Sequence, residues 1–125
     1  MNQANIPDVP LYINGERVQS TTKEWRDVLN PATQEVVARV PFASKEEVDR
    51  AVANARDAFR TWRNTSLAQR MRIMLKFQQL LRDNMTPLAE LITREHGKTL
   101  PDAEGEIMRG LEVVEHACSI TSLQL

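Results

Sequence analysis

The sequence predicts a mixed α/β chain, α+β when taken as a piece by itself, with an N-terminal hairpin and short strands followed by four amphipathic helices. Three observations point there. An Asn14-Gly15 pair stands between two strand-like tripeptides, and both residues tolerate the positive φ that a tight hairpin needs. At Ser44 the apolar period changes from 2 to 3.6. Two capping boxes, Ser44 with Glu47 and Ser66 with Gln69, mark helix starts, because each satisfies orphan backbone amides at both ends of its S-x-x-E/Q pattern.

The elements follow in order. Residues 1–10 read as a flexible arm, interrupted by Pro7 and Pro10. Leu11–Ile13 and Glu16–Val18 form the hairpin, Trp25–Leu29 a further strand, and Asn30-Pro31-Ala32-Thr33 a turn. Val36–Val40 is β-branched and apolar, and Pro41 closes it. The first helix carries Val48, Val52, Ala55, Phe59 and Trp62 as one stripe to bury. The second has Met71, Ile73, Met74, Leu75, Phe77, Leu80 and Leu81 on more than one face, so it is expected to be covered on two sides. Thr86, with Pro87 as first helical residue, opens a third helix that Gly97 stops. A fourth begins at Pro101-Asp102, buries Ala103, Ile107, Leu111, Val114 and Cys118, and is expected to run towards Leu125.

This pattern leaves an apolar sheet face and helix stripes in need of neighbours. Residues 1–125, which close on an apolar run, therefore read as a piece of a larger fold. The bulk figures narrow the class further. With 42% hydrophobic and 26% charged residues, the chain has the composition of an ordinary globular protein. Sixteen basic residues against seventeen acidic ones give a net charge of -1, which offers no electrostatic footprint for nucleic acid or an anionic membrane. No apolar run reaches the roughly 18 residues of a membrane span. The opening MNQANIPDVP has no Lys or Arg and resembles neither a secretory signal nor a transit peptide, so the expected compartment is cytoplasmic. A lone cysteine excludes an internal disulfide.

The chemistry-bearing residues are few. Gly97-Lys98-Thr99 looks like the end of a phosphate loop, but Ile92 stands where that motif needs a glycine, so Lys98 reads as a solvated lysine after a helix stop. Cys118 falls late in a helix near the apolar stripe, where packing accounts for it. His96 and His116 lack metal-ligand spacing. Glu106, Arg109 and Glu112 are three apart, share a helix face and can pair. Gly105 and Gly110 beside Arg109 each cost about 1 kcal/mol inside a helix, which hints at close packing there. None of the four glycines forms a G-x-G-x-x-G loop.

Four motifs in register resemble the aldehyde dehydrogenases. They are L-Y-I-N-G-E (Leu11 to Glu16), N-P-A-T-Q-E-V (Asn30 to Val36), A-V-x-x-A-R-x-A-F-x-x-W (Ala51 to Trp62) and E-H-G-K-T-L-P-D-A (Glu95 to Ala103). Where the family's turn reads N-P-A-T-G-E-V, this chain has Gln34. The segment from Glu104 to Leu123 closely resembles the CoA-acylating methylmalonate-semialdehyde branch. That resemblance implies a Rossmann-like NAD domain, a catalytic domain and an oligomerisation hairpin in a homotetramer. It implies oxidation of malonate or methylmalonate semialdehyde with NAD and CoA, in valine and inositol catabolism. It also implies that Arg109, matching the arginine of the branch's E-G-x-x-x-R-G helix, binds the substrate carboxylate. The family's nucleophilic cysteine and its NAD-gripping residues have no counterpart in residues 1–125. No catalytic, cofactor-binding or metal-ligating residue is therefore expected here, and the chain alone should be inactive. The competing reading is a non-catalytic helical module, or an enzyme remnant, that docks on a partner through its apolar stripes.

Overall fold

The protein, seen in a computed structural model, is described over residues 6–123. It divides into two units, Met1–Arg63 and Asn64–Leu125.

In the first unit, β1 (Leu11–Ile13) and β2 (Glu16–Val18) pair antiparallel, with Leu11 opposite Val18. Asn14 at φ 56° and Gly15 at φ 79° make the turn, the left-handed geometry that Asn-Gly favours. β3 (Trp25–Leu29) and β4 (Val36–Pro41) form a second antiparallel pair, running from Trp25 opposite Pro41 to Leu29 opposite Val36, with an irregularity at Val28/Leu29. Their turn is fastened by Gln34 N donating to Asn30 O at 2.7 Å and Ala32 N donating to Asn30 Oδ1 at 2.9 Å. It places Gln34 at φ 62°.

The flexible arm expected over residues 1–10 is tied down where it is described. Val9 N donates to Arg39 O at 2.8 Å, Arg39 N donates to Pro7 O at 3.0 Å, and Asp8 pairs with the Arg39 guanidinium at 2.7 Å. The exposed flank of β4 offers unpaired backbone groups, and Pro7 serves there because only its carbonyl is used.

Helix α1 (Lys45–Trp62) starts at the predicted capping box, with Ser44 Oγ accepting from Glu47 N and Glu47 reaching back to Ser44 N at 2.8 Å. Glu47 does more than cap. It also accepts from Ser20 Oγ at 2.9 Å and from Thr21 N at 2.8 Å, and it is buried. The carboxylate thus ties the helix start to the segment after β2. The stripe that α1 was expected to bury stays open: Val48, Val52, Phe59 and Trp62 are all exposed. Val48 and Val52 line a shallow groove of about 230 Å³ with Leu11 and Ile13, and no described element fills it.

The second unit is helical. α2 (Leu67–Asp83) begins at the Ser66/Gln69 box. α3 (Met85–His96) begins earlier than expected, capped at Asn84, so that Pro87 is the third helical residue. Proline is tolerated there because the first-turn amides have no intrahelical partner to lose. Gly97 at φ 81° ends α3. α4 (Leu100–Cys118) is capped by the Thr99 hydroxyl, which accepts from Asp102 N. It does not run on unbroken: Ser119 interrupts it, and a short α5 (Ile120–Leu123) follows, so there are five helices among the described residues, not four. Ser119 N and its hydroxyl both bond to His116 O, which tightens the last turn and redirects the chain.

The core of this unit is Ala89, Ala103 and Ile107, ringed by Met85, Leu88 and Ile92. Leu111 is the largest side chain fully withdrawn from solvent. The alanines let α3 and α4 approach closely, and the predicted α4 stripe supplies the buried positions. α2 departs from expectation. It packs against α4 and α5, yet no residue of it is buried, and Ile73, Leu75, Phe77 and Leu80 are exposed. The described residues cover α2 too thinly to bury a two-sided stripe.

Candidate functional site

A polar constellation gathers at the α3–α4 turn. Gly97 reverses the chain through its left-handed φ, and Thr99 starts α4. Lys98, held between them, is thereby set beside the second turn of α4, and its Nζ donates to Glu106 Oε1. Lys98 is only 27% exposed along its side chain and Glu106 37%. The lysine expected to be solvated is half-buried and paired. The ammonium bonded to it holds the Glu106 carboxyl below the usual carboxylate range, with partial burial opposing this and the charges of Lys98, Arg109 and His96 adding to it.

Arg109 stands one turn further along α4 and is exposed. It makes no hydrogen bond or ion pair among the described residues, so the predicted Glu106–Arg109–Glu112 series does not form. Glu106 is engaged instead by Lys98, and Glu112 is exposed. The Arg109 guanidinium folds back along the helix, as long side chains do. Its Nη1 lies 3.6 Å from where a Cβ on Gly105 would stand. That is ordinary contact, so a side chain at Gly105 would meet the guanidinium itself, and a Cβ at Gly110 would meet nothing within 4 Å. The close packing suggested by the two glycines is absent among the described residues.

The structure places the remaining candidates apart. His96 closes α3 and His116 lies in the last turn of α4, both exposed. Cys118, half-buried, is the last residue of α4. Among the described residues no three His, Cys, Asp or Glu side chains cluster as a metal site. None of the glycines offers a cradle for a dinucleotide: one turns a hairpin, one ends a helix, and two lie mid-helix, where backbone amides are already bonded. No described helix is long and apolar enough to cross a membrane.

Beside this polar turn, α2, α3 and α4 enclose an open groove of about 450 Å³ lined by Phe77, Leu81, Leu88, Leu91, Ile92 and Val114. Glu95 also reaches it, whereas Arg109 does not line it. Sequence reasoning missed Lys98. The Lys98–Glu106 spacing of eight residues is not a helical pair, and only the turn geometry makes it one.

The sequence profile of the aldehyde dehydrogenase family matches residues 18–123. A human mitochondrial methylmalonate-semialdehyde/malonate-semialdehyde dehydrogenase (acylating) is 50% identical over 122 residues, which are 98% of this chain and 23% of that protein. A Sinorhizobium meliloti protein assigned as a methylmalonate-semialdehyde dehydrogenase, solved with NAD, superposes with a TM-score of 0.93 at 43% identity, covering 98% of this chain and 25% of the other. The methylmalonate-semialdehyde dehydrogenase of Oceanimonas doudoroffii gives 0.90 at 39% identity, over 94% of this chain and 24% of that one. The chain thus spans about 23% of the length of the curated relatives it matches.

Proposed function

This chain belongs to the aldehyde dehydrogenase family, and from that premise we propose that it is the N-terminal part of an NAD-dependent, CoA-acylating methylmalonate/malonate-semialdehyde dehydrogenase. The reaction is semialdehyde + NAD + CoA to acyl-CoA + CO2 + NADH. The activity is proposed for a full-length family chain that carries these residues, with a homotetramer as its assembly and the cytoplasm as its compartment. Residues 1–125 by themselves are proposed to be inactive, since the family's nucleophilic cysteine and its NAD-gripping residues match no position among them.

Within this reading Arg109 binds the substrate carboxylate. The observation that carries it is an exposed guanidinium with no hydrogen bond or ion pair among the described residues, on a face where two carboxylates stand within one turn. A planar carboxylate meets such a fork through two parallel charge-assisted bonds, and simple aldehydes have no group to place there.

The test compares malonate semialdehyde with propanal in the full-length chain. Arg109→Leu is expected to lower kcat/KM for the semialdehyde acid by roughly 10- to 100-fold, the value of hydrogen bonds to a charged group, and to leave propanal nearly unchanged. Equal losses for both aldehydes would remove Arg109 from substrate recognition.

A further inference from the structure

We propose that Lys98 is a positioning residue for this arginine: by holding Glu106 across the α3–α4 turn, it keeps that carboxylate off Arg109 and leaves the guanidinium open to substrate. The inference rests on the reading of Arg109 given above and adds a residue to it.

Glu106 and Arg109 are three apart on one helix, a spacing at which opposite charges can meet. A carboxylate seated on Arg109 would occupy the same fork that a semialdehyde acid needs, so substrate would have to displace it. The structure shows the alternative arrangement. Lys98 Nζ is bonded to Glu106 Oε1, and this pair is the less exposed of the two possible ones, where screening by solvent and salt is weaker. Lysine suits the task. Its ammonium is a compact point charge that needs no planar partner, so the bidentate fork is kept for the ligand. The backbone enforces the choice, because Gly97 at φ 81° and the Thr99 cap fix Lys98 beside α4.

The experiment measures KM and kcat separately for malonate semialdehyde and propanal in the full-length chain. Lys98→Met frees Glu106 to pair with Arg109, and KM for the semialdehyde acid is expected to rise roughly two- to fivefold, the strength of an exposed helical ion pair. Its kcat and both constants for propanal should hold. Adding Glu106→Gln to Lys98→Met removes the competing carboxylate and should restore KM, and Lys98→Arg should behave as the parent. An unchanged KM in Lys98→Met, alongside a selective loss in Arg109→Leu, overturns the role of Lys98 and spares that of Arg109. A rise shared by propanal, or one that Glu106→Gln does not relieve, makes Lys98 a support of the fold and also overturns the proposal. Should Lys98→Met not fold, Glu106→Gln alone decides. KM for the semialdehyde acid is expected to stay level or fall, and a rise would show Glu106 assisting Arg109 rather than competing for it.

Discussion

Residues 1–63 hold one buried apolar side chain among those described, Val37, and their most heavily bonded group is the Glu47 carboxylate. Residues 64–125 bury Ala89, Ala103, Ile107 and Leu111 between helices. The first unit is a set of two-stranded hairpins and a helix joined by directed polar bonds, and the second is a helical packing joined by volume. The difference is physical. Isolated two-stranded pairs are marginal without a third layer, so their connections must come from specific acceptors. Helices carrying small residues at their contacts can instead approach and exclude water. Both units keep large apolar surface exposed, Val52 and Phe59 in one and Ile73 and Phe77 in the other. Such patches suit contact with further protein.

The sharpest break in this comparison is Leu111→Ala. Truncating a fully buried leucine costs about 2–5 kcal/mol, enough to melt a marginal helical unit. Urea unfolding followed by far-ultraviolet circular dichroism should show the loss. Both tryptophans, Trp25 and Trp62, lie in the first unit, so their fluorescence transition should move less. A matching shift in both signals would mean that the units unfold together.

A smaller effect is expected in the first unit from Glu47→Gln. The backbone amides of Thr21 and Ser44, followed by the Ser20 and Thr21 hydroxyls, hold the Glu47 carboxyl below its ordinary 4.5, against an opposing push from burial. A carboxyl lowered on folding stabilises the folded state above its unfolded value. That contribution fades as pH falls below 4.5 and through the lower folded value. Acid titration of the tryptophan signal should show this slope in the parent and lose it in Glu47→Gln, while amide exchange at Thr21 and Ser44 quickens.

The smallest effect runs the other way. Gln34 adopts φ 62° in the β3–β4 turn, a region that disfavours residues with a Cβ by about 1–2 kcal/mol. Gln34→Gly relieves this but gives the unfolded chain more freedom, so a net gain below about 1 kcal/mol is expected in the urea midpoint. A loss would mean that the Gln34 Nε2 bond to Pro31 O outweighs the backbone strain.

Local chemistry made much of the architecture legible. Asn14-Gly15, the Ser44 and Ser66 boxes and Gly97 act through their own backbone conformation or through amides three residues away, so composition and spacing were enough to place the hairpin and the helix ends. The buried stripe of Ala103, Ile107 and Leu111 followed from the 3.6 period for the same reason. Pro87 misled by two positions, because proline fits anywhere in a first turn, and the break at Ser119 depends on bonds to His116 that no pattern announces.

The site divides along the same line. Sequence alone determined the order of the strands and the first four helices and the family resemblance, and that resemblance singled out Arg109, since these depend on residue identity and short-range spacing. Only the tertiary structure decided which charges pair. Lys98 and Glu106 are brought together by the reversal at Gly97, and Glu47 meets Ser20 and Thr21 across more than twenty-five residues. Partners in a folded chain are chosen by distance and shielding in space, which linear order does not record.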